Sequence, residues 1–432
     1  MRELRVRSGA ALRGQLAVPG DKSISHRTLL LGAIAAGVSR VEGFVPAADC
    51  LATLGVVRAL GVEVEELTPS TLLVHGRGLR GLREAGDVLD CGRSGTAMRL
   101  MAGILSGQPF FSILSGDAQL RGRPMSRIVD PLRLMGATLL GRDGGRRPPL
   151  AIQGGHLAGI DYRLPVASAQ VKSALLLAGL YAGSPTTLRQ PGPSRDHTER
   201  MLQAMGCDLW QEGHDLILAP AQPPRALDVH VPGDFSSAAF LIVAATLAPG
   251  SEVNLEGVGV NPTRTGLLDV LRAMGARVLV HDTRSVGGEP VADLAVCAAE
   301  LRGTVVGGDL VVRAIDEFPV LAVAASQAQG ETIVRDAAEL RVKETDRIAT
   351  TVEELRRLGA AIESRPDGFV VHGPTPLKGG RVDSHGDHRL AMALTVAGLI
   401  AAGETVVQGA DSIGDSFPGF EAALALLGGR LW

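Results

Sequence analysis

Six short polar segments each stand directly before an apolar run that has the composition of a helix. The first residues of a helix carry a partial positive charge and free N–H groups, so they favour anions. Ser, Asp and Gly at such positions are also ordinary N-caps, and any one segment alone would indicate capping. Six of them, with Lys, Arg and Gln added, predict helix ends that bind anionic substrates. The segments are GDKSISHR (20–27), DCGRSGT (90–96), PVASAQVK (165–172), VPGDFSS (231–237), AIDEFP (314–319) and SHGDHR (384–389).

Basic side chains lie in or near these segments. Arg binds carboxylates and phosphates through its planar fork, and Lys adds a compact positive charge. In ELRVKETDRI (339–348), Lys343 and Arg347 are four residues apart, which predicts that they share one face of a helix. A run of charges is also typical of a solvated helix face, and that alternative stays open for this segment alone. The basic residues singled out are Lys22, Arg27, Arg123, Lys343, Arg347 and Arg389.

Two carboxylates could supply proton transfer. Asp316 opens the apolar run FPVLAVAAS, where an unpaired acid would be costly, although it could also be an N-cap. Asp316 and Glu344, placed near Lys343 and Lys22, would be a general acid and base tuned by neighbouring charge. The chain contains no HExxH motif, no phosphate-binding G-x-x-x-x-G-K-[ST] loop and no CxxC. We therefore expect no metal site and no reaction driven by ATP.

The elements that must position these side chains recur six times along the chain. One marker is a Leu-rich amphipathic segment that ends in Gly and precedes a β-like run, and its copies are 69 to 84 residues apart. The second marker is the apolar run that follows each polar segment. Each repeat is predicted to be a helix, a strand, an amphipathic helix with a glycine cap, and a pair of strands. The glycines of the first marker are Gly61, Gly136, Gly206, Gly275, Gly359 and Gly428.

Six repeats predict an α/β protein of two domains with three repeats each. The Pro-rich stretch 220–237 lies between the third and fourth repeats, where the chain would cross from one domain to the other. The strand-like segment 3–20 belongs to no complete repeat and is expected to pair with the C-terminal half. The predicted N-terminal domain is therefore 20–230, and the predicted C-terminal domain is 1–19 plus 231–432. The active site is expected in the cleft between them.

Composition excludes several classes of protein. The net charge is −3 and the chain has two Trp, two Tyr and nine Phe, so neither a polyphosphate-binding surface nor a base-stacking surface is expected. This disfavours a nucleic-acid partner, including the alternative of an RNA-processing enzyme. The N-terminal residues lack an apolar h-region, and the longest apolar runs are too short to span a bilayer. We expect a cytoplasmic protein without membrane contact, and no dimer seam is evident, which favours a monomer.

Ten motifs follow one another along the chain: DKSISHR, CGRSGTAMR, GRPM, ASAQVKSALLLAGL, SRDHTE, GDFSSAAF, IDEFP, RVKETDRI, GDHRLAM and SFPGF. In this order they closely resemble the 5-enolpyruvylshikimate-3-phosphate (EPSP) synthase family, the 3-phosphoshikimate 1-carboxyvinyltransferases. The resemblance covers about residues 8–424 and implies a pair of inside-out α/β barrels. It also implies transfer of the enolpyruvyl group of phosphoenolpyruvate to the 5-hydroxyl of shikimate 3-phosphate, with release of phosphate and without metal or organic cofactor.

The same resemblance implies roles for individual residues. Asp316 matches the proton acceptor, Glu344 its acid partner at the methylene carbon, and Lys22 a group that contacts both ligands. Glyphosate is implied to compete with phosphoenolpyruvate against Gly95. The shikimate 3-phosphate site is matched by Lys22, Ser23, Arg27, Ser168, Gln170, Ser194, Asp316 and Lys343. The phosphoenolpyruvate site is matched by Lys22, Gly95, Arg123, Gln170, Arg347 and Arg389.

The chain departs from the family pattern at three positions. Ala169 stands where some members have a second Ser, Glu339 where some have Asn, and Asp415 where some have Lys, so one hydroxyl and one Lys contact are missing. The related transferase that acts on UDP-N-acetylglucosamine remains an alternative, but its loop Cys is here Ala118. A second alternative is a non-catalytic anion-binding relative.

Overall fold

The computed structural model describes residues 2–220 and 223–432, so positions 221 and 222 of the predicted crossing lie outside the described residues. The helices are α1 Lys22–Ile34, α2 Ala48–Ala59, α3 Gly95–Ser106, α4 Ala118–Gly122, α5 Ser126–Leu134, α6 Arg142–Gly145, α7 Ala169–Gly179, α8 His197–Ala204, α9 Phe235–Leu247, α10 Gly266–Ala273, α11 Asp309–Arg313, α12 Phe318–Ser326, α13 Arg347–Arg357, α14 His388–Ile400 and α15 Phe420–Leu426. Two 3₁₀ turns span Ala338–Val342 and Ala410–Asp415.

The strands alternate with these helices along the whole chain. They are β1 Glu3–Arg7, β2 Arg13–Ala17, β3 Ala36–Glu42, β4 Glu63–Thr68, β5 Thr71–Arg77, β6 Leu89–Asp90, β7 Phe111–Ser115, β8 Thr138–Gly141, β9 Arg147–Gln153, β10 Asp161–Arg163, β11 Thr186–Arg189, β12 Leu209–Glu212, β13 Asp215–Leu218, β14 Val229–His230, β15 Glu252–Gly259, β16 Arg277–Val286, β17 Glu289–Cys297, β18 Val305–Val306, β19 Gly330–Val334, β20 Ile362–Arg365, β21 Gly368–Gly373, β22 Arg381–Asp383, β23 Glu404–Gln408 and β24 Arg430–Leu431.

The six helices that follow the polar segments are buried on nearly all sides. These central helices are α1, α3 and α7 in one half of the chain and α9, α12 and α14 in the other. A helix that is apolar all round can be accommodated only inside a core. The buried apolar side chains accordingly form two separate cores, each built around three central helices.

The six amphipathic helices end in the same way. Each is followed by a C-cap residue and then by a marker glycine with φ between 82° and 107°. After α2, the Gly61 N–H donates to the Arg58 carbonyl (2.9 Å) and the Val62 N–H to the Val57 carbonyl (3.1 Å). These two hydrogen bonds are those of a Schellman motif, in which the left-handed position favours glycine. The predicted role of the six glycines is confirmed.

Each of the six sheets has four strands in one recurring arrangement. A leading strand pairs in parallel with the strand after the central helix, and that strand pairs antiparallel with the third strand of the sheet. The strand orders are β14-β3-β5-β4, β6-β7-β9-β8, β10-β11-β13-β12, β2-β15-β17-β16, β18-β19-β21-β20 and β22-β23-β1-β24. The predicted fold class, an α/β fold of six repeats with three in each half, is confirmed.

Two leading strands are exchanged between the halves of the sequence. β2 precedes α1 but pairs with β15, with Arg13 opposite Glu252. β14 precedes α9 but pairs with β3, with Val229 opposite Val41. The N-terminal β1 pairs with β23 and β24 and so completes the last repeat of the chain.

The chain divides into two compact units. The N-terminal unit comprises Gly20–Val231 and Val286–Glu289, and the C-terminal unit comprises the segment that ends at Pro19, Pro232–Ser285 and Pro290–Trp432. The expected C-terminal domain included 286–289, but this hairpin tip groups with the N-terminal unit. There His197 Nδ1 lies 2.8 Å from Glu289 Oε1.

The helices can also be compared with the requirements of a bilayer. Within residues 2–220 and 223–432, no helix combines the length and the apolar character that a membrane crossing needs.

Candidate active site

Five of the six central helices are capped by the polar segment before them, and the sixth, α12, has Glu317 at its N-cap without a side-chain cap hydrogen bond. Capping therefore accounts for these Ser and Asp residues but leaves the neighbouring cations to be explained. The cap acceptors and their N–H donors are Asp21 with Ile24 (2.8 Å), Ser94 with Ala97 (3.0 Å), Ser168 with Val171 (3.5 Å), Asp234 with Ser236 (2.9 Å) and Asp387 with Arg389 (2.9 Å).

In the N-terminal unit, Lys22 is the first residue of α1. Its Nζ lies 2.9 Å from Asp49 Oδ2, and both side chains are mostly buried. Asp49 is in α2, and sequence reasoning did not single it out. The ion pair holds the ammonium beside the start of α1, where the helix already favours an anion.

Arg27 lies one turn further along α1 and is buried. Its guanidinium donates to the Ser23 carbonyl (2.9 Å), Thr198 Oγ1 (2.7 Å) and Ser173 Oγ (2.9 Å). Burial lowers the pKa of Arg27 to about 10, and the negative charge of Glu199 opposes that shift. The group stays cationic at neutral pH and is held rigidly by neutral hydroxyl and carbonyl partners.

Gly95, at the start of α3, lies against two guanidinium groups. A Cβ built on Gly95 would lie 2.7 Å from Arg99 Nη1 and 3.0 Å from Arg123 Nη1. Arg99 also donates to Gln170 Oε1 (2.6 Å), and Gln170 Nε2 donates to Thr96 Oγ1 (2.9 Å). The structure thus brings together Gly95, Arg123 and Gln170, all predicted from sequence, and adds Arg99 between them.

Ser194 lies in the loop between β11 and α8 and is buried. Its hydroxyl donates to Gln190 Oε1 (3.4 Å), and its carbonyl accepts a hydrogen bond from Lys172 Nζ (3.2 Å). Lys172 is in α7, the helix that Ser168 caps. The predicted residues Ser168, Gln170 and Ser194 are therefore linked through the first turn of one helix.

In the C-terminal unit, Arg347 is surrounded by three carboxylates. Its guanidinium lies 3.2 Å from Asp316 Oδ1, 2.7 Å from Glu344 Oε2 and 2.8 Å from Asp387 Oδ2. Burial alone would lower the pKa of Arg347, but the charges of Asp387, Glu344 and Asp316 outweigh it and raise the pKa above its usual value. Asp387 is fully buried, whereas Asp316 and Glu344 each keep about a fifth of the side chain exposed. The two predicted acid and base groups thus share one cation.

The four-residue spacing predicted that Lys343 and Arg347 share one face of a helix. That prediction is wrong. A 3₁₀ turn ends at Val342, Lys343 is extended, and α13 begins only at Arg347 after the N-cap Asp346. Asp346 accepts the Ala349 N–H (3.0 Å) and so starts a new helix inside the charged run. Lys343 Nζ nevertheless lies 3.9 Å from Asp316 Oδ1, the same oxygen that Arg347 contacts.

Asp316 is not the first residue of its helix. The N-cap of α12 is Glu317, whose side chain is buried and accepts a hydrogen bond from Ser236 Oγ. Arg264 donates to the same hydroxyl (2.8 Å) and to Asp234 Oδ1 (3.0 Å). Asp316 therefore lies one residue before the N-cap. Its carboxylate contacts Arg347 and Lys343 instead of capping the helix.

Arg389 is 4% exposed and lies at the start of α14. Its backbone N–H donates to Asp387 Oδ1 (2.9 Å). Its guanidinium forms no ion pair or hydrogen bond with any side chain or backbone group of the described residues. Its nitrogens are not fully enclosed, so a guanidinium without a partner among the described residues is accessible to an anionic ligand.

The residues that sequence reasoning missed are mostly partners of those that it found. Asp387 and Arg99 lie inside the quoted motifs GDHRLAM and CGRSGTAMR, so a signal existed without an assigned role. Asp49 and Glu199 pair with Lys22 and Lys172 from distant parts of the chain, and no local pattern identifies such partners.

Within residues 2–220 and 223–432, two groups of side chains have atoms close enough to ligate a metal ion, and neither group includes a predicted site residue. In each, a guanidinium already supplies positive charge: Arg284 lies 3.2 Å from Asp293, and Arg357 lies 2.7 Å from Glu353. These contacts are typical of ion-pair clusters, in which Glu354 is buried and the other members are partly or fully exposed. The groups are His281 with Asp282 and Asp293, and Glu353 with Glu354 and His385.

Comparison with known proteins identifies the family. The EPSP synthase (3-phosphoshikimate 1-carboxyvinyltransferase) family profile matches residues 6–424. The 3-phosphoshikimate 1-carboxyvinyltransferase of Desulforudis audaxviator is 56% identical over 421 residues, covering 98% of each chain. That of Herpetosiphon aurantiacus is 56% identical over 412 residues, covering 95% of each chain. The EPSP synthase structure from Acinetobacter baumannii superposes with a TM-score of 0.89 at 43% identity and covers 100% of both chains.

These matches agree with the motif resemblance along the whole chain rather than in one segment. They do not favour the transferase that acts on UDP-N-acetylglucosamine. By its sequence, by its fold and by the residues that its repeats bring together, the chain belongs to the EPSP synthase family.

Proposed function

We propose that this chain is an enzyme that transfers the enolpyruvyl group of phosphoenolpyruvate to the 5-hydroxyl of shikimate 3-phosphate. The hydroxyl oxygen bonds to C2 of phosphoenolpyruvate while its proton leaves to a base and the methylene carbon takes a proton from an acid. The resulting tetrahedral intermediate loses a methyl proton as the bond between C2 and the phosphate oxygen breaks. The products are 5-enolpyruvylshikimate 3-phosphate and inorganic phosphate, which places the reaction in aromatic amino acid biosynthesis.

The observation that carries this proposal is the carboxylate pair on Arg347. Asp316 and Glu344 contact one buried guanidinium at 3.2 and 2.7 Å. We assign Asp316 as the base and Glu344 as the acid. An anionic substrate beside Arg347 would draw the guanidinium away from Glu344, which raises the proton affinity of that carboxylate and prepares it as an acid.

Both substrates are polyanions, and cations at the helix starts suit them. For phosphoenolpyruvate we propose Arg347 and Arg389 from the C-terminal unit and Gly95, Arg123 and Gln170 from the N-terminal unit. Two observations support this assignment: the Arg389 guanidinium has no ion-pair or hydrogen-bond partner among the described residues, and Gly95 lies close to Arg123. Arginine can hold a phosphate or a carboxylate through two parallel hydrogen bonds.

For shikimate 3-phosphate we propose residues that cluster at the starts of α1 and α7 and in the loop before α8, together with two from the C-terminal unit. The hydrogen bonds of Arg27 and Ser194 hold these groups in place before a ligand arrives. Prepositioned groups spend less free energy on ordering when the ligand binds. The set is Lys22, Ser23, Arg27, Ser168, Gln170, Ser194, Asp316 and Lys343.

The proposal requires both units to act on the same pair of substrates. We propose that the active site lies in a cleft between the N-terminal unit and the C-terminal unit. Lys22 and Arg123 would then stabilise the charge that develops on the departing phosphate. Lys22 forms an ion pair with Asp49 in the structure, so this role needs Lys22 to exchange that partner for the substrate.

The decisive experiment is turnover with the two substrates. The purified protein is incubated with phosphoenolpyruvate and shikimate 3-phosphate, and phosphate release is followed with and without the shikimate ligand. Release that depends on shikimate 3-phosphate, with the enolpyruvyl ether identified by mass spectrometry, supports the proposal. Release only with UDP-N-acetylglucosamine, or no release with either acceptor, would overturn it.

We also propose that the enzyme acts as a cytoplasmic monomer without a nucleic-acid partner. The net charge of −3 supports the absence of a surface that binds nucleic acid. Light scattering of the purified chain measures its mass against the 44.9 kDa of one copy.

A further inference from the structure

We propose that the buried ion pair of Lys172 and Glu199 is a positioning device for the 3-phosphate of shikimate 3-phosphate. The inference rests on the proposed function and adds two residues to it. Neither side chain needs to touch the substrate, because the pair acts through Ser194 and the loop before α8.

The pair lies where a charged pair is rarely placed. The Lys172 side chain is 1% exposed and the Glu199 side chain 8%, and their Nζ and Oε1 atoms are 2.5 Å apart. Lys and Glu are among the residues least often buried, and their removal from water offsets much of their mutual attraction. An apolar pair would fill the same space, so stability alone does not account for these residues.

A second contact of Lys172 links the ion pair to the loop that contains Ser194. Lys172 Nζ also donates to the Ser194 carbonyl oxygen at 3.2 Å. A trans peptide is planar, and its N–H points away from its C=O. Once Lys172 holds the Ser194 carbonyl, the N–H of Arg195 must point in the opposite direction. One ammonium thus sets the orientation of a whole peptide unit in the loop.

The orientation matters because this loop has little other regular structure. β11 ends at Arg189 and α8 begins at His197, so the seven residues between them depend on side-chain contacts. The Ser194 hydroxyl is held by Gln190 at 3.4 Å, a weak hydrogen bond. Lys172 is therefore the stronger anchor of the loop that presents the Ser194 hydroxyl, the Arg195 N–H and the Arg195 side chain.

Glu199 extends the same framework to Arg27. Thr198, the residue before Glu199 in α8, accepts a hydrogen bond from Arg27 Nε at 2.7 Å. Ser173, the residue after Lys172 in α7, accepts from the same guanidinium at 2.9 Å and lies 2.7 Å from Thr198 Oγ1. The ion pair and this hydroxyl pair together hold α1, α7 and α8 at fixed separations.

The charges of the pair cancel, which distinguishes positioning from simple attraction. A lone buried ammonium would attract any anion, including phosphoenolpyruvate. With Glu199 at 2.5 Å, the pair contributes little net field and acts mainly through geometry. Its loss should therefore weaken binding of the ligand that uses the Ser194 loop and leave the other ligand unaffected.

The test uses the double substitution Lys172→Met with Glu199→Leu, which removes both charges and avoids leaving one buried alone. Binding of shikimate 3-phosphate and of shikimate is measured by calorimetry, and kcat and both KM values by phosphate release. We expect Kd and KM for shikimate 3-phosphate to rise at least about tenfold, the effect of losing one charge-assisted hydrogen bond. We expect KM for phosphoenolpyruvate, kcat at saturation and the Kd for shikimate to stay within about twofold.

Two further variants separate positioning from general damage. Glu199→Gln keeps an acceptor for Lys172 and so keeps the Lys172 contact with Ser194, but it removes the charge that cancels the ammonium. We expect the Kd for shikimate 3-phosphate to rise by no more than about threefold, since the uncompensated ammonium attracts anions. Gln108→Leu is the matched control, since Gln108 is fully buried in the same unit and donates to Tyr181 Oη (3.0 Å) and the Leu79 carbonyl (2.9 Å). It should lower stability without changing the KM for shikimate 3-phosphate.

The possible outcomes decide between the two proposals. If wild type fails to turn over the two substrates, the proposed function is wrong. If wild type is active and the double variant binds shikimate 3-phosphate as tightly as wild type, the positioning role is wrong while the function stands. The pair is only structural if the double variant loses as much affinity for shikimate and phosphoenolpyruvate as for shikimate 3-phosphate. It is also only structural if the double variant matches Gln108→Leu in every constant.

Discussion

Gly95 is the position where one added methyl group would meet the proposed phosphoenolpyruvate site most directly. In Gly95→Ala the new Cβ would stand 2.7 Å from Arg99 Nη1 and 3.0 Å from Arg123 Nη1. Ordinary contact begins near 3.4 Å, so the two guanidinium groups must move by about 0.7 and 0.4 Å. Both are the ends of flexible side chains, and we expect the protein to fold normally.

The expected changes in KM and in the glyphosate inhibition constant follow from the contacts of the two guanidinium groups. The displacement of Arg99 stretches its 2.6 Å hydrogen bond to Gln170. The displacement of Arg123 moves a guanidinium that is proposed to bind phosphoenolpyruvate. A weakened hydrogen bond of about 1 kcal/mol corresponds to about a fivefold rise in KM for phosphoenolpyruvate. Glyphosate, which the family resemblance places against Gly95, carries the same loss and also collides with the methyl group. Such a collision is worth about 1–3 kcal/mol, or about 10- to 200-fold.

The quantity to measure is the ratio of the glyphosate inhibition constant to the KM for phosphoenolpyruvate. The loss shared by both ligands cancels in this ratio, so only the collision remains. We expect the ratio to rise by about 10- to 200-fold in Gly95→Ala. Gly122→Ala is the matched control, because Gly122 adjoins Arg123 and a Cβ there has no atom within 4 Å. It should leave both constants unchanged.

Two results would refute this reasoning. If KM and the inhibition constant rise by the same factor, the methyl group acts only through the arginines and glyphosate does not lie against Gly95. If wild type is already insensitive to glyphosate, the implied competition is absent in this chain.

Three further predictions concern buried and partly buried ionisable groups. Asp316→Asn and Glu344→Gln should each lower turnover by about a hundredfold or more while calorimetric binding of shikimate 3-phosphate is largely kept. Arg347→Met should lower the free energy of unfolding in urea by about 3–5 kcal/mol, because it strands Asp387, which is fully buried. Burial lowers the pKa of His26 to about 3 from 6.5, so the unfolded chain takes up this proton first. The contribution of neutral His26 to the free energy of unfolding is therefore complete above about pH 6.5. It falls between pH 6.5 and 3, by at most about 1.4 kcal/mol per pH unit. In urea titrations, His26→Gln should show a smaller decrease in the free energy of unfolding over this pH range.

Each of these has a clear contrary result. Near-normal turnover in either carboxylate variant would remove that residue from proton transfer. Adding Asp387→Asn to Arg347→Met should recover part of the lost stability, and no recovery would mean that the stranded carboxylate is not the cause. An unchanged acid slope in His26→Gln would show that other groups dominate acid unfolding.

The fold was predictable because its repeating signals are local. A glycine after an amphipathic helix specifies a left-handed cap by itself, and Gly61, Gly136 and the other marker glycines all adopt it. Fully apolar runs beside amphipathic ones likewise separate central from outer helices without any knowledge of the partner. Six copies of both signals were enough to define the architecture.

The candidate site was predictable only in part, because its geometry depends on competition and on distant partners. The spacing of Lys343 and Arg347 suits a helix, yet Asp346 caps α13 inside that run, and capping prevailed over periodicity. The partners Asp49 and Glu199 come from other helices, 27 residues away from Lys22 and Lys172 in the sequence. Tertiary packing alone decides which carboxylate meets which cation. The placement of the site residues about the substrates remains a prediction.

The exchange of β2 and β14 has a consequence for how the chain can be divided. A fragment that ends at residue 220 carries β1 and β2 away from their partners β23 and β15, and it lacks β14, which completes the β3 sheet. The remaining fragment has the reciprocal defect. A simple tandem of two autonomous halves would survive such a cut, whereas here each half leaves unpaired sheet edges that only the other fragment can fill. Genetic dissection should therefore yield halves that aggregate when expressed singly and regain solubility by complementation when expressed together.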